Sequence, residues 1–201
     1  MKPWHNRWGA TDEEVARTLP GDELVPQTKI ITTHAITINV KPAQVWPWLV
    51  QLGQGRGGFY SYDFIENAMG LDIHTAQQIK PEFQELAVGD IIPFSPDGFG
   101  IPVVILEKEK ALVLHADSRE MTEGQSQLTF QPGDYVNVSW GFYLEPLGEN
   151  ATRLIERWRA DYNPNFVNTA FYHAFLEPGA FIMQQKMLRT LKERAESAAS
   201  V

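Results

Sequence analysis

Between Gly89 and Tyr162 the sequence reads as a run of strand-forming segments joined by short turns, and this run sets the fold class. The segments lie near Asp90–Phe94, Val103–Lys108, Ala111–Ala116, Gln125–Gln131, Tyr135–Glu145 and Thr152–Tyr162. The intervening turns carry Pro-Asp-Gly, Glu-Lys and Pro-Leu-Gly-Glu-Asn, residues that favour tight reversals, so neighbouring segments are expected to pair as antiparallel hairpins. One more strand comes earlier, Lys29 to Val40. Its even positions are Ile30, Thr32, His34, Ile36, Ile38 and Val40, and its odd positions include Thr33, Thr37 and Asn39, a period-2 pattern with one mainly apolar face. A seven-stranded sheet cannot bury itself and needs a covering layer. The element available is a C-terminal helix, clearest from about Gly179 to Ala198, where Phe181, Met183, Met187, Leu188 and Leu191 form one apolar face. The helix is expected over 165–198, kinked at Pro178.

Two shorter helices are expected after the first strand. Lys41-Pro42 opens one, with Val45, Trp46, Leu49 and Leu52 at helical spacing and Gly53 as its stop. Tyr62 to Ala68 forms the other, with Ser61 as its cap and Gly70 beyond its end. Residues 1–28 read as an N-terminal arm, in which Thr11-Asp12-Glu13-Glu14 is a capping box before a short helix. With no repeat or low-complexity linker, residues 1–201 are read as a single domain.

Composition removes several function classes. The 201 residues include no cysteine, which excludes a disulfide scaffold, a thiol nucleophile and a cysteine-based zinc site. Lys plus Arg is 17 against 25 Asp plus Glu, a net charge of −8, which disfavours nucleic acid and anionic membranes as partners. No apolar run reaches transmembrane length, and Met1 to Leu19 lacks the apolar core of a signal peptide. A cytoplasmic protein without stable membrane insertion is the expectation, and the sequence carries no signal for oligomeric state.

The element order, together with several segments, resembles the helix-grip fold of the START-like superfamily, also called SRPBCC or polyketide cyclase-like, and within it a bacterial branch of unassigned activity. The segments are Trp8-Gly9-Ala10-Thr11, Leu19-Pro20-Gly21-Asp22, Val45-Trp46-Pro47-Trp48-Leu49-Val50-Gln51, Arg56-Gly57-Gly58-Phe59-Tyr60-Ser61-Tyr62-Asp63, Thr152-Arg153-Leu154-Ile155 and Met183–Leu188. Phe59 stands where that branch has Trp. The resemblance implies an α+β fold, a curved seven-stranded antiparallel sheet wrapped around the long C-terminal helix. It also implies a hydrophobic pocket between the two, suited to a lipid, polyketide or other apolar molecule. It brings no catalytic residue set and no cofactor.

Candidate residues follow from the pattern. Gly53-Gln54-Gly55-Arg56-Gly57-Gly58 matches G-x-G-x-x-G, but a helix precedes it and no βαβ unit follows, so a turn or a gate at a pocket mouth is preferred to a nucleotide site. None of the five histidines forms His-x-x-x-His, and no metal site is expected. His34, on the apolar face of the first strand, reads as a hydrogen-bonded core histidine or an acid–base group. On the last strand, alternation puts Leu154, Glu156, Trp158 and Tyr162 on one face and Ile155, Arg157 and Arg159 on the other. If the first face looks inward, Glu156 is a candidate general base. If the second does, Arg157 is a cation that could clamp a carboxylate or enolate, and Arg157 is preferred of the two. Cross-strand ion pairing on a solvated face is the plain alternative. Tyr60, Tyr62, Trp140, Phe142, His173 and Phe175 complete the candidate pocket lining. The leading function is binding of a small hydrophobic or amphipathic molecule. The alternatives are a cyclase-, aromatase- or hydrolase-type enzyme using the same cavity, and a regulatory protein-binding module.

Overall fold

The computed structural model describes residues 3–120, 134–163 and 177–199. In chain order the elements are α1 (Asp12–Ala16), β1 (Ile30–Ile38), α2 (Pro42–Val50), α3 (Asp63–Ala68), β2 (Ile91–Pro93), β3 (Gly100–Glu107), β4 (Ala111–Asp117), β5 (Val136–Leu147), β6 (Ala151–Tyr162) and α4 (Glu177–Ala198). Short 3-10 turns at Trp4–Arg7, Asp22–Leu24 and Pro81–Phe83 complete the list.

The strands form one antiparallel sheet in the order β1-β6-β5-β4-β3-β2. Five consecutive strands pair as hairpin neighbours, and β1 adds to the far edge beside β6. Its register runs from Ile30 opposite Ala160 to Ile38 opposite Thr152 and sets His34 directly across from Glu156. The sheet has six strands among the described residues, not seven. The predicted strand Gln125–Gln131 and the predicted helical stretch 165–176 lie outside the described residues.

Both faces of the sheet are covered. On one face, Ile30, Ile38, Leu112, Leu114, Phe142, Leu144 and Leu154 join Met187, Leu188, Leu191 and Ala195 of α4 in a buried cluster. The spacing of the α4 residues keeps them on one side of the helix, as amphipathic periodicity demands. Fully burying a side chain such as Phe142 or Leu154 contributes about 1.5–3 kcal/mol. On the other face, Ala35, Ala111, Val113, Tyr143 and Ile155 pack with Leu19 and Leu24 of the N-terminal arm. The sequence suggested a cover for one face only; the arm supplies the second.

Polar groups on β6 tie the arm down. The Thr11 hydroxyl accepts from Glu14 N (3.1 Å) and the Glu14 carboxylate from Thr11 N (2.7 Å), forming the capping box that starts α1. Arg153 Nε then donates to Glu14 Oε1 (2.7 Å), and Arg159 Nη2 to Val25 O (3.0 Å) and Thr28 Oγ1 (2.7 Å). Tyr143 Oη donates to Pro20 O (2.6 Å). Among the described residues no helix is long and apolar enough to cross a membrane.

Candidate functional site

A cavity of about 350 Å³ opens between the sheet, α3 and the N-terminal half of α4. Four aromatic rings, Phe59, Phe94, Phe99 and Trp140, make much of its wall. Their centroids stand 4.8 Å apart for Phe59–Phe94, 5.9 Å for Phe94–Trp140 and 6.0 Å for Phe94–Phe99, a continuous aromatic surface. Met69, Met183 and Met187 add thioethers, which adapt to irregular ligand shapes, and Leu71 and Ile73 add branched aliphatic surface. Two further hollows, about 390 and 450 Å³, lie around the β3–β4 turn and are lined by Lys108 and Glu109. An apolar cavity with a few converging polar groups is the better candidate for small-molecule binding.

Among the described residues four polar side chains reach the cavity wall: Ser61, Glu66, Ser95 and Gln184. Behind it runs a buried network. Glu156 Oε1 accepts from Trp140 Nε1 (2.6 Å) and Gln184 Nε2 (2.9 Å), and Glu156 Oε2 lies 2.9 Å from His34 Nδ1. His34 Nε2 lies 2.8 Å from the His5 carbonyl. Both imidazole nitrogens therefore face acceptors, and the doubly protonated ring satisfies both. Burial pulls the His34 pKa down, but the hydrogen bond and charge of Glu156 and the bond to the His5 carbonyl outweigh it, and the net shift is upward.

Glu66 lacks any such support. It is 4% exposed, and its buried Oε2 has no hydrogen-bond partner among the described residues. Burial, aided by the charge of Asp63, pushes its pKa up to about 7. Because folding raises this pKa from 4.5, the protein is expected to lose stability as pH rises through about 7. Glu66→Gln removes the buried charge. It should stabilise the protein by about 1–3 kcal/mol above neutrality and by nothing below about pH 4.5, as read by chemical denaturation at the two pH values.

The residues expected from the sequence divide as follows. Trp140 lines the cavity. Phe142 is fully buried beside it, with centroids 4.8 Å apart, and belongs to the core. His34 and Glu156 lie on the cavity side of the sheet but are wholly buried behind Trp140 and Gln184. Arg157, the preferred cation, is on the opposite face under the arm, because alternation along β6 places it there with Ile155. It donates to Asp22 Oδ2 (2.7 Å), Glu14 O (2.6 Å), Arg17 O (2.9 Å) and Thr33 Oγ1 (3.1 Å). Tyr60 is fully buried and turned away from the cavity, receiving a hydrogen bond from Gln51 Nε2 (2.7 Å) and meeting Trp48 edge-on. Tyr62 is half-buried at the start of α3, edge-on to Phe64. His173 and Phe175 lie outside the described residues.

The glycine-rich loop is a closed turn. Gly53 and Gly58 exchange backbone hydrogen bonds of 3.1 and 3.0 Å, and the Arg56 guanidinium folds back onto the Leu52 and Val50 carbonyls. Gly58 has φ +71°, and a Cβ there would press on the His74–Thr75 backbone, so glycine is required. The loop delivers Phe59 to the cavity wall. Sequence reasoning missed Glu66, Ser61, Ser95 and Gln184. Only Gln184 left a signal: it is a polar residue in line with Met187, Leu188 and Leu191 on the apolar face of α4.

No family model matches the sequence, and no curated protein matches it. Solved structures do. A hypothetical protein from Helicobacter pylori superposes with a TM-score of 0.52 at 14% identity, covering 90% of this chain and 96% of its own. A protein from Mesorhizobium loti gives 0.47 at 15% identity over 84% and 98%, and norcoclaurine synthase from Thalictrum flavum gives 0.41 at 13% identity over 89% and 93%. At these identities the likeness concerns the fold alone, and the Helicobacter pylori structure carries it. With its curved antiparallel sheet gripping a long C-terminal helix, the protein has a START/SRPBCC-like fold.

Proposed function

We propose that the protein binds a small amphipathic molecule in the cavity between the sheet and α4. The observation that carries this reading is the combination of an aromatic and thioether wall with unpaired polar groups inside it. Its volume, about 350 Å³, lies within the range of small-molecule sites. A partner-binding module would have a filled interior at this position and draws no support from the cavity. A second reading, acid–base catalysis on the bound molecule, is favoured by one feature. Glu66 is an unpaired carboxyl group whose pKa is pushed up to about 7, the region where a general acid or base works best. Saturable binding without turnover would contradict that second reading.

Leu71 is half-buried at the wall, so Leu71→Trp adds bulk to the cavity and not to the packed core. Calorimetric titration with decan-1-ol is expected to show one saturable site in the wild-type protein and at least about tenfold weaker binding in Leu71→Trp. Equal binding by both proteins would place the ligand elsewhere.

A further inference from the structure

We infer that the ligand of this cavity bears hydrogen-bond donors on its polar head, an amine or a hydroxyl on an apolar body, and that Glu66 and Gln184 receive that head. The inference rests on the cavity reading above and sharpens it to a ligand class.

The polar side chains of the wall are unbalanced. Each donor atom among them already has a partner: Ser61 Oγ donates to the Met183 carbonyl (3.3 Å), Ser95 Oγ to Asp97, and Gln184 Nε2 gives one of its two N–H groups to Glu156 (2.9 Å). The unmet groups are all acceptors. Gln184 Oε1 and Glu66 Oε2 are both buried without a hydrogen-bond partner among the described residues. Glu66 and Gln184 are 4% and 8% exposed, so both acceptors are withdrawn from bulk water. Buried polar groups are ordinarily satisfied, and an unsatisfied pair at one cavity calls for a partner that supplies N–H or O–H groups.

The orientation of the Gln184 amide is fixed by its neighbours. Glu156 Oε1 already takes the Trp140 indole N–H, and a carboxylate oxygen only accepts, so the NH₂ end of Gln184 must point to it and the carbonyl end must point away. The paired His34 side chain keeps Glu156 in that role. The buried network thus serves as a positioning device that presents an acceptor at the cavity.

The sign of the head group follows from charge. Among the described residues the cavity lining contains Glu66 and no Lys, Arg or His, and Asp63 is the neighbouring charge that acts on Glu66. An anionic head such as a fatty-acid carboxylate would offer only acceptors and would meet like charge. An ammonium head would find both acceptors and a carboxyl group able to ionise against it.

Three probes with one common chain isolate the head group: decylamine, decan-1-ol and decanoate, titrated calorimetrically at about pH 8, where the amine is cationic. Decylamine and decanol are expected to bind, and decanoate at least about tenfold more weakly than decylamine. In Glu66→Gln the amine should weaken by about tenfold and decanoate should strengthen, bringing the two within about threefold. Decanoate binding as tightly as decylamine in the wild-type protein, or a preference that survives Glu66→Gln, would overturn the inference. Should all three probes bind alike, the cavity reading stands and this inference falls; should none bind, both fall. The wild-type ranking decides even where the variant fails to fold.

Discussion

Replacing His34 with leucine is expected to cost about 3–5 kcal/mol of folding stability. His34 is fully buried, and its ring bridges Glu156 and the His5 carbonyl. Without it the Glu156 carboxylate keeps the Trp140 and Gln184 donors but loses its charge partner, and a buried unpaired charge is costly. The double variant His34→Leu/Glu156→Leu should recover part of the loss, because it removes the unpaired charge but leaves the Trp140 and Gln184 donors without their acceptor. The imidazole also leaves a pH signature. Its pKa is raised by folding, so its contribution is complete below the ordinary value of 6.5 and fades as pH rises through the raised value. Glu66 titrates in an overlapping window, so the comparison belongs in a Glu66→Gln background. There, stability should fall on the alkaline side with His34 present and stay flat in His34→Leu/Glu156→Leu, which removes both members of the pair.

On the other face, Arg157→Met should cost about 3–5 kcal/mol and release the N-terminal arm. Arg157 is 2% exposed, and its guanidinium holds the Asp22 carboxylate (2.7 Å) together with the Glu14, Val15 and Arg17 carbonyls around the end of α1. Removing the fork leaves those carbonyls unsatisfied at a helix terminus and leaves Asp22 with the longer contact to Arg159 (3.4 Å). Lysine cannot serve all of these acceptors from one nitrogen, so Arg157→Lys should lose more than half of the same energy. Two measurements check the effect: denaturant unfolding, and limited proteolysis, in which the variant should be cut within residues 1–28 while the sheet resists. An arm as protected as in the wild-type protein would show that the apolar contacts of Leu19 and Leu24 suffice to hold it.

The architecture was largely legible from local signals. The period-2 pattern of β1, the capping box at Thr11, Pro42 at the start of α2 and the apolar face of α4 each rest on short-range physics, and each lies where the sequence placed it. The site was less legible, because it depends on what covers each face. Alternation separated Glu156 from Arg157 correctly but could not say which side the helix takes. The arm that buries Arg157 is brought to β6 by contacts more than 130 residues apart in sequence, such as Arg157 to Asp22. Tyr60 was expected at the cavity mouth; its left-handed backbone (φ 57°) turns the ring inward to Gln51 instead. Glu66 left no trace, because α3 has only six residues and too few turns to mark which side is buried.

Native mass spectrometry of the protein mixed with decan-1-ol or decylamine tests the central claim most directly. The account requires a one-to-one complex in the wild-type spectrum and its loss in Leu71→Trp at unchanged secondary structure. A spectrum showing only the free chain with either probe, or an adduct that persists unchanged in Leu71→Trp, would contradict it.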